Sequence, residues 1–425
     1  MKPVRIDKYS LESFILRLRH IFFILFIICI PFQDFGLQDS FLRFAGATLS
    51  NIPLIGLIIT LILGFIIGER IDKKTFMITS FIIIYILAYS LIVLLLFIDD
   101  SNILFYIYKL CSNFILFLFY MTSFIYTKNH TSNIKKYIIL AYIINLIGWI
   151  ICDILSINLG SMIHYVHDAD YNRFHGFTLE ASYFCFTSVI LGILSMYYTN
   201  NKIIKSIILA ITVIIVLFGG SKGTLIIICI SILLYILFSK KYNVVFKIST
   251  VILGTLVSIF VLYYFLINTF ILDLETSTSF ASRCSSIIAT FFIIKDYPLG
   301  IGFGAFLAVF KYEIVEAFNL LNSYIPIIVL NFNEIDSWIS TDRQEGATIR
   351  SIIFQYIAYF GIPFLFICLY YIKYYLILLK NNNEYLLFLF IFIVSGLLTF
   401  AGFNYDSIIG LAIILKNINR QVSLN

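Results

Sequence analysis

The sequence predicts an all-α, polytopic membrane bundle of about twelve spans, on three observations. Apolar runs of about 20 residues, long enough to cross a ~30 Å hydrocarbon core, recur along the whole chain. Mean hydropathy is +1.00. With 61% hydrophobic and 12% charged residues, a soluble domain of 425 residues is excluded. Basic residues also gather in alternate connections, as they do in membrane proteins. Length therefore describes one transmembrane bundle, residues 1–425, and not a count of soluble domains.

Taken in order, the spans are predicted near 14–31, 51–68, 76–98, 103–126, 137–155, 177–198, 203–218, 223–238, 248–268, 350–372, 385–401 and 403–416. The first is expected to be retained, because no small-residue cleavage site follows it. Asp99-Asp100 closes the third span in a short, water-facing turn. Lys109, about two turns inside the fourth, either snorkels outward or pairs within the bundle. Gly219-Gly220-Ser221-Lys222-Gly223 joins two spans too tightly for a solvated loop. The last two spans are short and read equally as one re-entrant hairpin. Seven scattered cysteines with no Cys-x-x-Cys pair read as small buried hydrophobes.

Orientation follows from the cations. With a cytoplasmic N-terminus, one face collects Lys2, Arg5, Lys8, Arg17, Arg19, Arg70, Lys73, Lys74, Lys128, Lys135, Lys136, Lys202, Lys205, Lys240, Lys241, Lys247, Lys373, Lys380, Lys416 and Arg420, 20 of 29 basic residues. Both termini are therefore expected in the cytoplasm. The net charge of +6 sits in these connections, so no nucleic-acid partner is implied. Two long outer loops remain, 156–176 and 269–349. Within the second, Phe303–Phe310 and Tyr324–Phe332 are too short to span and too apolar to be solvated, so they read as surface helices capping the bundle.

Charge beside the outer end of a span is costly, so Arg173-Phe-His-Gly-Phe-Thr-Leu-Glu180-Ala-Ser182 is the leading site candidate. Guanidinium groups grip phosphate or diphosphate in a bidentate fork. Arg173, Arg283, Arg343 and Arg350 border the two loops and are the candidates to converge on one diphosphate. For Arg283 and Arg350 a local carboxylate partner is an equal alternative, and Arg343 has Asp342 and Glu345 beside it; Arg43 is left to a local pair. Lys222 adds a cation to the glycine turn, either for a phosphate oxygen or for lipid headgroups. Glu180 would deprotonate an attacking hydroxyl, though it serves equally to hold Arg173 in place. His175, Gly176, Ser182 and Ser221 complete the expected substrate-binding loops. His164, His167, Asp168, Asp170 and His175 are read as a solvated loop with no metal, and no cofactor is expected. Gly300-Ile-Gly302-Phe-Gly304 lacks a preceding strand and the full nucleotide-loop spacing, so it reads as a bend. There is no Gly-x-Ser-x-Gly elbow, phosphate loop or His-Glu-x-x-His helix.

These residues resemble a family. Arg173-Phe-His-Gly176-Phe-Thr-Leu-Glu180-Ala-Ser182 is similar to the Arg-x-x-Gly-φ-x-x-Glu-Pro-Ser pattern (φ apolar) of bacterial O-antigen and capsule repeat-unit polymerases. Gly220-Ser221-Lys222-Gly223 resembles the Ser-Arg-Gly turn that these polymerases share with O-antigen ligases. Tyr297-Pro298-Leu-Gly300-Ile-Gly302 resembles the opening of their large outer loop. Tyr359-Phe360-Gly361-Ile362-Pro363 resembles a turn in the span after it. The likeness covers about 170–365. Lysine at 222 and alanine at 181 depart from the pattern, and lysine loses the bidentate fork.

The resemblance implies a glycosyltransferase C-like bundle in a bacterial cytoplasmic membrane, with its active site on the external face. It also implies inverting transfer of a growing glycan from undecaprenyl diphosphate onto another lipid-linked oligosaccharide, with the bilayer holding the lipid. A chain-length regulator protein is the further partner it implies. Arg173, Arg283 and Arg350, helped by Lys222, would stabilise the departing diphosphate, and Glu180 or Glu345 would orient or deprotonate the acceptor hydroxyl. The alternatives are a ligase that transfers glycan to lipid A core, or a flippase for lipid-linked oligosaccharides. No histidine lies between 176 and 425, where the ligases place a presumed base, which favours the polymerase.

Overall fold

Backbone amides inside a bilayer find no water, so each crossing must satisfy its own hydrogen bonds as a helix. The computed structural model describes residues 8–33, 48–69, 73–97, 103–131, 134–156, 173–178, 180–261, 278–324, 330–340, 348–379, 383–399 and 404–422, and all regular structure among them is helical. The helices are α1 (Lys8–Ile28), α2 (Asn51–Ile67), α3 (Lys73–Phe97), α4 (Ile103–Asn129), α5 (Lys135–Gly148, continued by a π-helical turn, Trp149–Ile154), α6 (Ala181–Tyr198), α7 (Lys202–Phe218), α8 (Lys222–Phe238) and α9 (Val244–Val261). They continue as α10 (Thr278–Asp296), α11 (Gly302–Tyr324), α12 (Asn333–Ser340), α13 (Ile352–Leu379), α14 (Glu384–Leu397) and α15 (Tyr405–Val422).

Among the described residues, five segments are long and apolar enough to cross a membrane: Phe76–Phe97, Ile103–Asn129, Lys135–Ile154, Ala181–Tyr198 and Ile352–Leu379. Asn51–Ile67, Lys222–Phe238, Val244–Leu256 and Glu384–Leu397 are apolar but shorter. Large apolar side chains such as Ile66, Leu95, Leu104 and Val245 stand on the outside. An apolar exterior around a helical core marks a membrane protein. Among the described residues, five of the twelve predicted crossings thus reach full length as single apolar helices. α1 falls short because Glu12, Arg17 and Arg19 occupy its first half, and α7 because it is short and starts with Lys202 and Lys205.

The chain forms two compact units. The first comprises residues 1–81, 116–228 and 404–425. Its centre is α6, buried on nearly every face and packed against α5, α7 and α15. Polar side chains in this core are matched across helices. Asn145 Nδ2 donates to Ser188 Oγ at 2.8 Å, Tyr197 Oη donates to Asn417 Oδ1 at 2.9 Å, and Tyr142 Oη pairs with Thr212 Oγ1 at 2.8 Å. Between membrane helices such bonds contribute on the order of 1 kcal/mol each. α1 and α2 are tied by a bidentate pair: Arg19 Nη1 and Nη2 reach Glu69 Oε1 and Oε2 at 2.8 and 2.6 Å, and Nη2 also donates to the Thr60 carbonyl at 2.9 Å. The guanidinium holds Glu69, beyond the end of α2, below the usual carboxylate range.

The second unit comprises residues 82–115 and 229–403. Here α10 packs on α11 and α13 through Ala281, Ser282, Ser285, Ser286, Ala289, Thr290 and Ile293, a small-residue face that lets helices approach closely. α13 breaks at Gly361, whose φ of 65° and ψ of −155° belong to a region open essentially to glycine alone. The turn before α11 docks in this break. Ile301 N–H donates to the Ala358 carbonyl at 3.0 Å and Ile362 N–H to the Pro298 carbonyl at 2.8 Å. Tyr89 Oη lies 2.9 Å from the carbonyls of both Leu299 and Gly300.

Several expectations change. The predicted outer loop 269–349 holds α10, α11 and α12. Residues 303–310 are not a short surface helix but the start of the 23-residue α11, whose Phe303, Phe306, Phe310, Ile314 and Phe318 are buried in the protein. α10 went unpredicted because its serines and alanines dilute the apolar signal. Of Tyr324–Phe332, residues 325–329 lie outside the described residues, as do Arg43 and Asp99-Asp100. The last two predicted spans are separate helices, α14 and α15. Lys109 Nζ lies 5.5 Å from the centre of the Phe105 ring. Among the cysteines only Cys185 is buried, and Cys111 and Cys229 are exposed on apolar helices.

Candidate functional site

The helix predicted from residue 177 starts only at Ala181, with Glu180 extended in front of it. The preceding segment, 173–178, is tied down at each step. Phe177 stacks on Phe32 with centroids 4.6 Å apart, and its carbonyl accepts the Gln33 N–H at 3.1 Å. Thr178 donates through both N–H and Oγ1 to the His175 carbonyl at 2.9 Å. Asp153, on the π-helical turn that ends α5, accepts the backbone N–H groups of His175 and Gly176 at 3.1 and 2.8 Å. Residues 175–178 are therefore buried, whereas Arg173 and Glu180 at the two ends are exposed. His175 was expected to face substrate. Instead its ring is buried, with Nδ1 3.3 Å from Asp153 Oδ1.

The glycine turn lies against this segment. Gly220 has φ +68°, and its bare Cα leaves room for the Arg173 stem: a methyl group there would come within 3.1 Å of Arg173 Cγ. Ser221 then caps α8, its Oγ accepting the Thr224 N–H at 3.2 Å and donating to Thr224 Oγ1 at 2.9 Å. Buried and committed to the cap, Ser221 is structural here and does not line a substrate loop. Thr224 Oγ1 donates onward to the Ser182 carbonyl at 3.2 Å, and Ser182 Oγ donates to Glu180 Oε2 at 3.1 Å. This chain of bonds sets the first turns of α6 and α8 side by side.

Electrostatically, that corner favours an anion. Helix N-termini carry partial positive charge and free backbone donors. The Glu180 side chain makes no capping bond to α6. Lys222 is exposed at the first position of α8, where a cation is at odds with the helix dipole and gains from a bound anion. The Arg173 stem at Gly220 and the Thr224–Ser182 bond thus bring the 173–182 stretch against the 220–224 turn, although the two are far apart in sequence.

Arg283 and Arg350 belong to the second unit, where Ser286 links them. Ser286 Oγ donates to the Arg283 carbonyl at 2.9 Å and accepts the Arg350 N–H at 3.2 Å. Arg283 Nη1 donates to the Thr399 carbonyl at 2.8 Å. Arg350 is ion-paired with Glu334 and lies 5.3 Å from the centre of the Trp338 ring. The local-carboxylate alternative therefore describes Arg350, with Glu334 as the partner. Arg343 and Glu345, with His164, His167, Asp168 and Asp170, lie outside the described residues. Sequence reasoning missed Asp153, whose partners lie more than twenty residues away; its only signal was a carboxylate inside an apolar run. The motifs around Gly300 and Gly361 form the backbone brace of the second unit.

No family model and no solved structure matches the chain. A Klebsiella pneumoniae protein described as "Uncharacterized 49.5 kDa protein in cps region" is 25% identical over 382 residues, which cover 88% of this chain and 86% of that one.

Proposed function

We propose that this chain is a membrane glycosyltransferase that polymerises undecaprenyl-diphosphate-linked oligosaccharide repeat units into a capsular or O-antigen polysaccharide. The observation that carries the reading is the packing of the Arg173 stem against Gly220, beside the bond from Thr224 to Ser182 that ties the start of α8, which Lys222 opens, to the start of α6, which Glu180 precedes. Fixed cations and helix N-termini suit a diphosphate, and an apolar exterior suits its polyprenyl tail. The cps region named in the relative's description is compatible with polysaccharide biosynthesis.

On this reading the acceptor hydroxyl attacks the anomeric carbon of the donor, and Glu180 takes its proton. The bond from that carbon to the diphosphate oxygen breaks with inversion, and Arg173 and Lys222 stabilise the charge gathering on the departing diphosphate. The four shorter apolar helices, with α1, α7 and α15, join the five long ones in a glycosyltransferase C-like bundle of about twelve crossings. Both termini then face the cytoplasm, and the site opens outward.

Reconstitution tests this. Purified protein in liposomes, given the native lipid-linked repeat unit, is expected to produce a ladder of lipid-linked oligomers. Transfer only after lipid A core is supplied would make it a ligase, and silence under both conditions would refute glycosyl transfer.

A further inference from the structure

We infer that Asp153 is the positioning residue of this site, the group that sets Arg173 and Glu180 at their working separation; the inference rests on the reading just given. Its side chain is 3% exposed and stands in the otherwise apolar stretch Trp149-Ile-Ile-Cys-Asp153-Ile154. A carboxylate buried at the end of a span is costly unless its lone pairs are used. Here both oxygens are used, and all three contacts go to two consecutive residues of one segment. Oδ1 takes the His175 N–H, Oδ2 takes the Gly176 N–H, and the His175 ring lies against Oδ1. Bonds to an ionised acceptor are about twice as strong as neutral ones.

The local backbone supports this. An α-helix continuing regularly past Gly148 would carry residue 153 around in steps of about 100°. Widening into a π-helical turn shifts that phase, and such turns recur at functional sites. The turn is the point at which α5 departs from regular geometry and at which its carboxylate meets the segment. On the receiving side Gly176 has φ +53°, and a methyl group there would come within 2.7 Å of Phe184. Asp153 thus pins the middle of the segment onto α5. From that point Arg173 extends towards Gly220, and Glu180 leads into α6. A slack segment would leave both charged groups present but misplaced, and about 1 Å of misplacement costs ~100-fold in rate.

The test compares wild type, Asp153→Asn and His175→Gln, each purified in the full chain. Asparagine keeps the shape but turns an NH2 group towards one of the two backbone donors. Two independent readouts are taken: hydrogen–deuterium exchange of the peptide covering 173–180, and initial rate of oligomer formation with KM and kcat separated. For Asp153→Asn the expected result is at least tenfold faster exchange at 175–176. Oligomer kcat should fall ten- to a hundredfold in protein that still inserts and remains folded at the assay temperature. His175→Gln, which keeps both backbone bonds, should lose no more than about threefold. Unchanged exchange in Asp153→Asn overturns the clamp whatever the activity. Faster exchange with wild-type kcat overturns its role in the site. If Asp153→Asn does not insert, His175→Gln decides: a loss as large as that of Arg173→Ala would put the ring, and not the carboxylate, in charge of position. A wild-type protein that makes no oligomers refutes the proposed reaction and leaves the exchange arm to judge the clamp.

Discussion

Replacing Gly220 by alanine perturbs the site without touching a charged group. Two costs can be worked from the structure. At φ +68° a Cβ meets backbone strain, on the order of 1–2 kcal/mol for an L-residue in the left-handed region. The new methyl group would also stand 3.1 Å from Arg173 Cγ and 3.6 Å from Cδ. Ordinary van der Waals contact begins at 3.4 Å, so the stem must retreat by a few tenths of an ångström, roughly 0.3–0.5 Å. With ~100-fold per ångström of misplacement, that retreat costs about four- to tenfold in turnover. Gly223 is the matched control, because a methyl group there meets nothing within 4 Å. Inside the first turn of α8, Gly223→Ala should be neutral or stabilising by about 0.5–1 kcal/mol. Initial rates of oligomer formation in liposomes, with unfolding midpoints in detergent, separate the two effects. Gly220→Ala should lose both rate and stability, and Gly223→Ala neither. A Gly220→Ala protein that is less stable yet turns over like wild type would refute the claim that the position of Arg173 sets the rate. Equal loss in Gly223→Ala would show that the stem contact is irrelevant.

Arg173→Ala is expected to abolish long polymer while the protein still inserts; wild-type chain lengths on a gel would remove Arg173 from the site. Gly361→Ala places a methyl group against the Pro298 carbonyl and forces strain of about 1–3 kcal/mol; losing the Ile362–Pro298 bond adds roughly 1–3 kcal/mol, so a large fall in folded protein should be seen by fluorescence-detected size exclusion. The Arg19–Glu69 pair carries a pH signature. Because Glu69 titrates below its ordinary value of 4.5, its contribution is full above that value and fades as pH falls through the lowered one. The gap in unfolding midpoint between wild type and Glu69→Gln should therefore narrow as pH falls below 4.5, and a gap that widens with acidification would contradict the ion pair. EDTA should leave oligomer formation intact, whereas inhibition reversed by a divalent ion would bring Asp168 and Asp170 forward as ligands.

Legibility of the chain divides by the range of the forces involved. Helix is enforced locally, since a backbone in lipid must bond to itself, and so α3, α4, α6 and α13 could be read from apolar runs. The Arg173–Ser182 stretch was visible for a related reason: a charge near lipid is costly wherever the rest of the chain lies. α10 escaped because a face of Ala281, Ser285 and Ala289 packs by closeness and not by greasiness. Ser221 looked like a ligand-facing hydroxyl until Thr224 proved to be its partner.

The sequence alone therefore determined that this is a helical membrane protein with cations placed beside the ends of its spans, because burial cost is a property of each residue. Only the tertiary structure decided which of those residues meet. It set Arg173 against Gly220, joined Ser182 to Thr224, paired Arg350 with Glu334 and put Asp153 beneath the Arg173 segment. A hydrogen bond is made over about 3 Å between groups that the chain separates by tens of residues, and no local pattern encodes the choice of partner.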